Sequence, residues 1–141
     1  MRGICALTFA AACLCTGPAF AQECLHGPTE TPDQKARRVD ALHVARTVNN
    51  LEANQPGART RTYLRQVELK SSPFATGPDG QSDWFRKLNF TPGQDVIPGW
   101  ALTLDVTQDG YWFAVKDKTD SCGFRYISSQ DGLIFTAEPI R

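Results

Sequence analysis

The chain has 141 residues, of which 41% are hydrophobic and 21% charged, and its formal net charge at neutral pH is zero. A balanced charge argues against a nucleic-acid or anionic-membrane surface, because such surfaces carry a strong excess of lysine and arginine. The length suits one domain with a modest core.

Residues 1–21 have the three parts of a cleavable secretory signal peptide. Arg2 provides the positive start, and residues 4–14 form an apolar run that is too short to span a bilayer. Small residues then precede the expected cleavage site after Ala21. The sequence therefore predicts a periplasmic or secreted chain whose mature form begins at Gln22. No later apolar run approaches membrane length, so we expect a soluble domain without a membrane span.

Cleavage at this site changes the cysteine count, because Cys5, Cys13 and Cys15 lie in the removed segment. The mature chain keeps Cys24 and Cys122, and an even pair in an oxidising compartment predicts one disulfide. A redox or zinc site is the alternative, but neither the C-x-x-C spacing nor a set of four ligands is present. A lipoprotein signal ending at Cys13 is a further alternative, although the large aliphatic residue expected three positions earlier is missing.

A helix is predicted over residues 31–54, after an irregular leader at residues 22–30. Thr31 is a favourable N-cap, and Pro32 suits the first helical position. Apolar residues then recur at steps of three and four, which predicts one amphipathic helix. The recurring residues are Ala41, Val44, Val48 and Leu51. A Gln-Pro-Gly sequence at residues 55–57 ends the helix.

Residues 58–99 are expected to be irregular and rich in loops. Residues 58–70 fit neither the helical nor the strand period, so either a short helix or an extended segment is expected. Residues 71–83 contain two prolines and two glycines and predict a loop. Apolar residues between positions 84 and 97 predict a segment that covers the core.

Residues 100–138 predict an antiparallel sheet of four strands. Apolar residues alternate with other residues along each strand, and Asp-Gly pairs at 109–110 and 131–132 mark tight turns. The alternating sets are Trp100, Leu102, Leu104 and Val106; Tyr111, Phe113 and Val115; Cys122, Phe124 and Tyr126; and Leu133, Phe135 and Ala137. The predicted fold class is α+β, with one long N-terminal amphipathic helix packed on a four-stranded antiparallel meander.

The sequence contains no motif that specifies a catalytic, cofactor or metal site. It has two histidines, His26 and His43, and His43 follows Asp40 by three residues on the predicted helix. Such a pair can orient a general base, but it is more often a solvated surface contact. A metal site would need these residues to meet the distant His26, which the spacing does not require. We therefore predict no catalytic residue, no cofactor and no metal.

Trp112 is the residue that best fits a contact surface. If the aromatic residues on either side of it face the helix, Trp112 lies on the opposite face of the sheet. Ala101, Thr103 and Arg125 are its expected neighbours, and a tryptophan with an arginine on an open face is typical of a binding hot spot. The alternative is that the segment at 84–97 folds over this face and buries Trp112, and it is favoured because that segment has enough apolar residues to cover the face.

The helix at 39–51, the hairpin at 100–116 and the segment at 122–132 resemble the globular head of type IV pilins and pseudopilins. The resemblance implies an α+β head with a structural or recognition role. The chain departs from the family where pilins carry a long apolar half-helix, because its helix starts at Pro32 and is polar through Arg37. The resemblance therefore implies a head without the polymerising stalk.

Three classes of function remain open. The first is a non-enzymatic recognition or structural domain with an unidentified protein or envelope partner. The second is a periplasmic inhibitor or ligand-binding module on a cystatin-like scaffold, with residues 55–57 or 71–83 as the projecting loop. The third is an enzyme whose Asp and His residues come together from distant positions. An aromatic-rich cleft would favour the second class, and a converged Asp-His pair with a shifted pKa would favour the third.

Overall fold

A computed structural model describes residues 24–60 and 62–138, in which one long helix packs on a five-stranded antiparallel sheet. This arrangement confirms the α+β fold class. The predicted signal peptide and its cleavage site lie outside the described residues.

Helix α1 spans Pro32–Asn54 and begins directly after the predicted cap. The Thr31 hydroxyl accepts a hydrogen bond from the Gln34 backbone N–H, and the Gln34 side chain accepts one from the Thr31 N–H, which is a capping box. Pro32 suits the first turn because that position needs no N–H donor. The buried apolar face consists of Ala41, Val44, Ala45, Val48 and Leu51. The predicted stripe is therefore present.

Residues 56–87 form a series of short helical turns. They are 3-10 turns at Pro56–Thr60, Gln66–Ser71 and Asp79–Gln81, helix α2 at Pro73–Thr76, and helix α3 at Asp83–Lys87. Ser72 and Ser82 cap α2 and α3 by accepting hydrogen bonds from the backbone N–H groups of Ala75 and Phe85. The prediction of a plain loop over residues 71–83 was therefore wrong, because each serine starts a helical turn.

The five strands follow one another in chain order, each antiparallel to the next. They are β1 at Asp95–Ile97, β2 at Trp100–Val106, β3 at Tyr111–Asp117, β4 at Arg125–Ser129 and β5 at Ile134–Ala137. The prediction of four strands was wrong by one, because three residues are too few for an alternation to be recognised. The turn into β2 requires Gly99, whose φ is 79°.

In β5 the side chains that face the core are not the predicted ones. Ile134 pairs with Ser128 and packs against the core, whereas Phe135 lies on the outer face and is 57% exposed. Leu133 is 59% exposed. Residues 133–135 are apolar in both phases of the alternation, so the period could not choose the buried phase.

The core lies between α1 and the inner face of the sheet, and the short helices close its side. Its largest fully buried side chains include Trp100, Phe113, Phe124, Leu51 and Leu69. The predicted disulfide is present between Cys24 and Cys122, which are 98 residues apart in sequence. It joins the leader to the turn before β4. A search of the described residues finds no helix with the length and apolar character of a membrane span.

Candidate functional site

The outer face of the sheet, turned away from α1, carries the side chains in three rows that cross the strands. The Asp105 row consists of Asp105, Trp112 and Ser129. The middle row consists of Thr103, Ala114, Ile127 and Phe135. The Lys116 row consists of Asp95, Ala101, Lys116, Arg125 and Ala137, and Lys118 Nζ lies 2.7 Å from Asp95 Oδ1. The face thus has an acidic side, a mainly apolar centre and a side where the positive charges outnumber the negative one.

Trp112 is 43% exposed on this face, and its Nε1 donates a hydrogen bond to Asp105 Oδ2 at 3.2 Å. The segment at 84–97 does not bury it. Phe85 and Phe90 of that segment instead belong to the core between the sheet and the helix. The outer face is therefore open at Trp112.

Thr103 and Arg125 lie on the predicted face, but neither is directly opposite Trp112. Thr103 pairs with Ala114, and Arg125 pairs with Lys116. The direct cross-strand neighbours of Trp112 are Asp105 and Ser129, which the sequence analysis missed. The register counted back from the turn at 107–110 would have found Asp105, since strand pairing starts at the two residues that flank a hairpin turn.

Lys116 and Arg125 place two positive charges directly opposite each other on neighbouring strands. Like charges in this position repel. The ion pairs found in the described part of the chain include neither side chain. Arg125 Nε donates to the backbone oxygen of Gly123 at 3.1 Å, which leaves its charge uncompensated.

A second group of polar side chains, here called the His26 network, is buried beneath the leader. His26 is only 4% exposed; its Nδ1 lies 2.7 Å from Glu30 Oε1 and its Nε2 lies 2.9 Å from Asp117 Oδ2. Arg38 donates to Glu30 at 2.8 and 2.9 Å, and Arg37 lies 3.5 Å from Asp117. This network joins the leader, α1 and the end of β3.

The partners in the network determine the charge of its carboxyl groups. Hydrogen bonds from Arg38 lower the pKa of Glu30 below its ordinary value, although burial opposes them. Burial alone would raise the pKa of Asp117, but hydrogen bonds from His26 and Thr119 and the charge of Arg37 lower it overall. Both ring nitrogens of His26 face carboxylate oxygens, so neither is free to take a proton from a substrate.

The His-Asp pair that the sequence analysis considered is not assembled, since within the described ranges no hydrogen bond joins Asp40 and His43. The ring of His43 stacks on Trp84 with centroids 4.7 Å apart and planes 5° apart. His26 is held by the network instead. Across residues 24–60 and 62–138, no group of His, Cys, Asp and Glu side chains is arranged to hold a metal ion.

Two clefts adjoin Trp84 along one side of α1. The larger has a volume of about 720 Å³, and the lining side chains that the structure describes are mostly aromatic, amide and hydroxyl groups. It is lined by His43, Thr47, Asn50, Phe74, Pro78, Gln81, Ser82, Trp84 and Phe85. The smaller, of about 330 Å³, has Arg37, Asp40 and Lys87 at its edge. Both are open, partly aromatic surfaces.

Glu52 is a buried carboxyl group near the end of α1. Its Oε2 accepts a hydrogen bond from the Leu64 N–H at 3.0 Å, and its Oε1 has no partner in the part of the chain that the structure describes. Burial raises its pKa to about 7, the Leu64 bond opposes this, and the charge of Glu68 adds to it. The sequence analysis missed Glu52, although it follows the buried Val48 by one helical turn.

Comparisons with protein-family models, with curated proteins and with solved structures give no match to this chain. Its function is therefore inferred from the geometry of the sites described above.

Proposed function

We propose that this chain is an exported, non-enzymatic recognition domain that binds an envelope protein through the outer face of its sheet. The observation that carries the proposal is the exposure of large apolar side chains there, Trp112 at 43% and Phe135 at 57%, with Leu133 at 59% exposure just before β5. Burying such side chains on a partner is favourable by roughly 25 cal/mol per Å² of apolar surface. Tryptophan and arginine are also enriched among residues that dominate binding energy.

Export is supported by the signal-peptide pattern of residues 1–21 and by the disulfide between Cys24 and Cys122. Disulfides persist in oxidising compartments such as the periplasm and the extracellular space. The order of elements, a helix followed by an antiparallel meander with a late cysteine, supports a pilin-head-like role in the envelope.

The enzyme alternative has less support from the geometry. A converged pair of His26 and Asp117 is present, and the pKa of Asp117 is shifted. However, both residues are buried, and His26 contacts a carboxylate through each ring nitrogen. A general base needs access to its substrate and a nitrogen that can accept the proton. The pair therefore supports a structural role.

Site-specific photo-crosslinking in the producing cell tests the proposal. A benzophenone amino acid is placed at position 112 or 135 of the full chain, and as a control at Val39, which is 56% exposed on α1. We expect light-dependent protein adducts from positions 112 and 135 and none from position 39. Adducts of equal yield from all three positions, or none from the sheet, would contradict the proposal.

A second candidate function is the binding of a neutral ligand in the larger cleft beside Trp84. The cleft combines aromatic rings with amide and hydroxyl groups, a combination that suits an uncharged sugar chain. Titration with cellotetraose and chitotetraose, followed by NMR, is expected to shift the side-chain amide signals of Asn50 and Gln81. Absence of shifts with both sugars would count against this candidate.

A further inference from the structure

We propose that the protein bound by the outer face is a second copy of this chain, packed face to face about a two-fold axis along the middle row. The inference rests on the proposed function, because it names the partner of the same surface. The three rows differ in charge, and a two-fold axis brings rows of different charge together.

The rows lie at successive alternate positions of the strands, so each is about 7 Å from the next. Asp105 stands on one side of the middle row. Lys116 and Arg125 stand on the other, together with Asp95, whose carboxylate is paired with Lys118. A two-fold axis along the middle row exchanges the two outer rows between copies. The acidic side of one copy therefore faces the basic side of the other.

This arrangement gives Trp112, Asp105 and Lys116 complementary neighbours. Trp112 comes over Lys116 of the second copy, where an ammonium group on an indole face is attractive. Asp105 lies beside that same Lys116, and Ser129 faces Arg125. Lys116 thus meets a carboxylate and an aromatic ring, and Arg125 meets a hydroxyl group instead of a further positive charge.

The other in-plane axis, parallel to the strands, is disfavoured by the same charges. When it passes between β3 and β4, so that Ile127 stays in the contact, it brings Lys116 of one copy against Arg125 of the other. Like charges in contact oppose association. The charge pattern therefore selects the axis along the middle row, and that choice makes the proposal testable by charge reversal.

The apolar centre supplies the attraction, and its size limits the affinity. Under the proposed axis Ile127 and Phe135 meet their counterparts, as in two sheets packed about 10 Å apart. Strand spacing and length give roughly 400–500 Å² per copy, against about 800 Å² per partner for a standard interface. We therefore expect a weak, reversible dimer with a dissociation constant on the order of 100 micromolar.

Sedimentation equilibrium of the oxidised mature chain tests the inference at concentrations up to about 1 mM. Asp105→Lys and Lys116→Asp are each expected to weaken dimerisation at least roughly ten-fold, because each places like charges together. The double reversal restores opposite charges and is expected to return within about five-fold of the unmodified chain. Val39→Ser, at an exposed apolar residue of α1, serves as the control and should change nothing.

The outcomes separate this inference from the proposed function. A chain that stays monomeric, a dimer unaffected by either single reversal, or a double reversal without recovery would overturn the second-copy proposal. If position 112 nevertheless crosslinks to a different envelope protein, the recognition function stands without self-association. Circular dichroism of each variant checks the fold, which exposed positions such as Asp105 and Lys116 should not disturb.

Discussion

Asp117 and Glu52 are two fully buried carboxyl groups that the fold supplies with different partners. Asp117 accepts hydrogen bonds from His26 and Thr119, whereas Glu52 accepts one from Leu64 and leaves its other oxygen without a partner among the described residues. The pKa of Asp117 is lowered, and that of Glu52 is raised to about 7. Burial acts in the same direction on both groups, so hydrogen-bonding partners decide the sign of the shift.

The two carboxyl groups therefore respond to pH in opposite ways. Asp117 has a pKa below its ordinary 3.8, so its contribution to stability is present at neutral pH and is lost as the pH falls through the acidic range. Glu52 has a pKa raised from 4.5, so the fold favours its protonated form. The contribution of Glu52 to the stability of the protein is therefore complete below about pH 4.5 and is lost as the pH rises towards 7. Stability is expected to be highest in the mildly acidic range between these two windows.

The largest effect is expected from Asp117→Ala, which leaves His26 and Arg37 without their buried anion. Each buried donor that is left without its acceptor costs about 1–3 kcal/mol, and Asp117 accepts from His26 and from both the N–H and the hydroxyl of Thr119. Urea unfolding at neutral pH measures the loss, which should shrink in acid, where the native carboxyl is protonated. The control is Asp83→Ala, whose ion pair with Arg86 is exposed and is worth about 0–1 kcal/mol. Equal losses in the two variants would contradict the importance of the network.

Replacing both Cys24 and Cys122 by serine is expected to lower the free energy of unfolding by roughly 2–4 kcal/mol. The bridge holds the leader, and with it His26, against Asp117. The cost of Asp117→Ala should therefore be smaller in the serine background, since neighbouring contributions are coupled. Reductant should destabilise the native chain but leave the serine variant unchanged. An unaffected native chain would show that the bridge adds no stability.

Glu52→Gln is expected to stabilise the protein by up to about 3 kcal/mol above neutral pH, because the amide keeps the acceptor for Leu64 and removes the buried charge. At about pH 4 the gain should vanish, since the carboxyl of the unmodified Glu52 is then mostly protonated in both the folded and the unfolded protein. Unfolding at the two pH values measures the difference. Asp40→Asn, at an exposed carboxyl on α1, is the control and should show no such pH-dependent gain. An equal gain at both pH values would contradict the raised pKa of Glu52.

The smallest effect is expected from Asn49→Ala, one turn before Glu52. Asn49 accepts a hydrogen bond from the Tyr111 hydroxyl at 3.2 Å and donates one to Ser128 Oγ at 3.0 Å. Losing these partners should cost about 1–2 kcal/mol at every pH, since none of them titrates near neutrality. Thermal unfolding with Asn50→Ala, an exposed neighbour, provides the comparison. A strong pH dependence of the loss would show that the contribution of Asn49 is coupled to the ionisation of Glu52.

Local patterns were enough to predict much of the fold. The Thr31 cap, the apolar stripe of α1 and the alternation of β2 and β3 depend on residues close together in sequence. β1 was missed because it has three residues, and β5 was assigned the wrong face because Leu133, Ile134 and Phe135 are all apolar. Both errors arise where the local pattern is too short or too uniform to specify a face.

The candidate sites were harder to predict, because their residues are distant in sequence. The pairing of Cys24 with Cys122 was predicted from cysteine arithmetic, whereas the alternation left open whether Trp112 is exposed or covered by residues 84–97. The contact between His26 and Asp117 joins positions 91 residues apart and has no local signal. Its formation depends on the packing of the leader against the end of β3, which only the assembled fold reveals.

The same long-range link sets an order in which structure can form. Strands β2 to β5 pair with their neighbours along the chain, and such local contacts form quickly. The leader must instead wait for Asp117 and Cys122, since closing a long loop carries an entropic cost before any contact offsets it. We therefore expect the hairpins to form first and the leader to dock last. During synthesis the leader is made first, but it would reach its final position only after the last strands have been made and have paired.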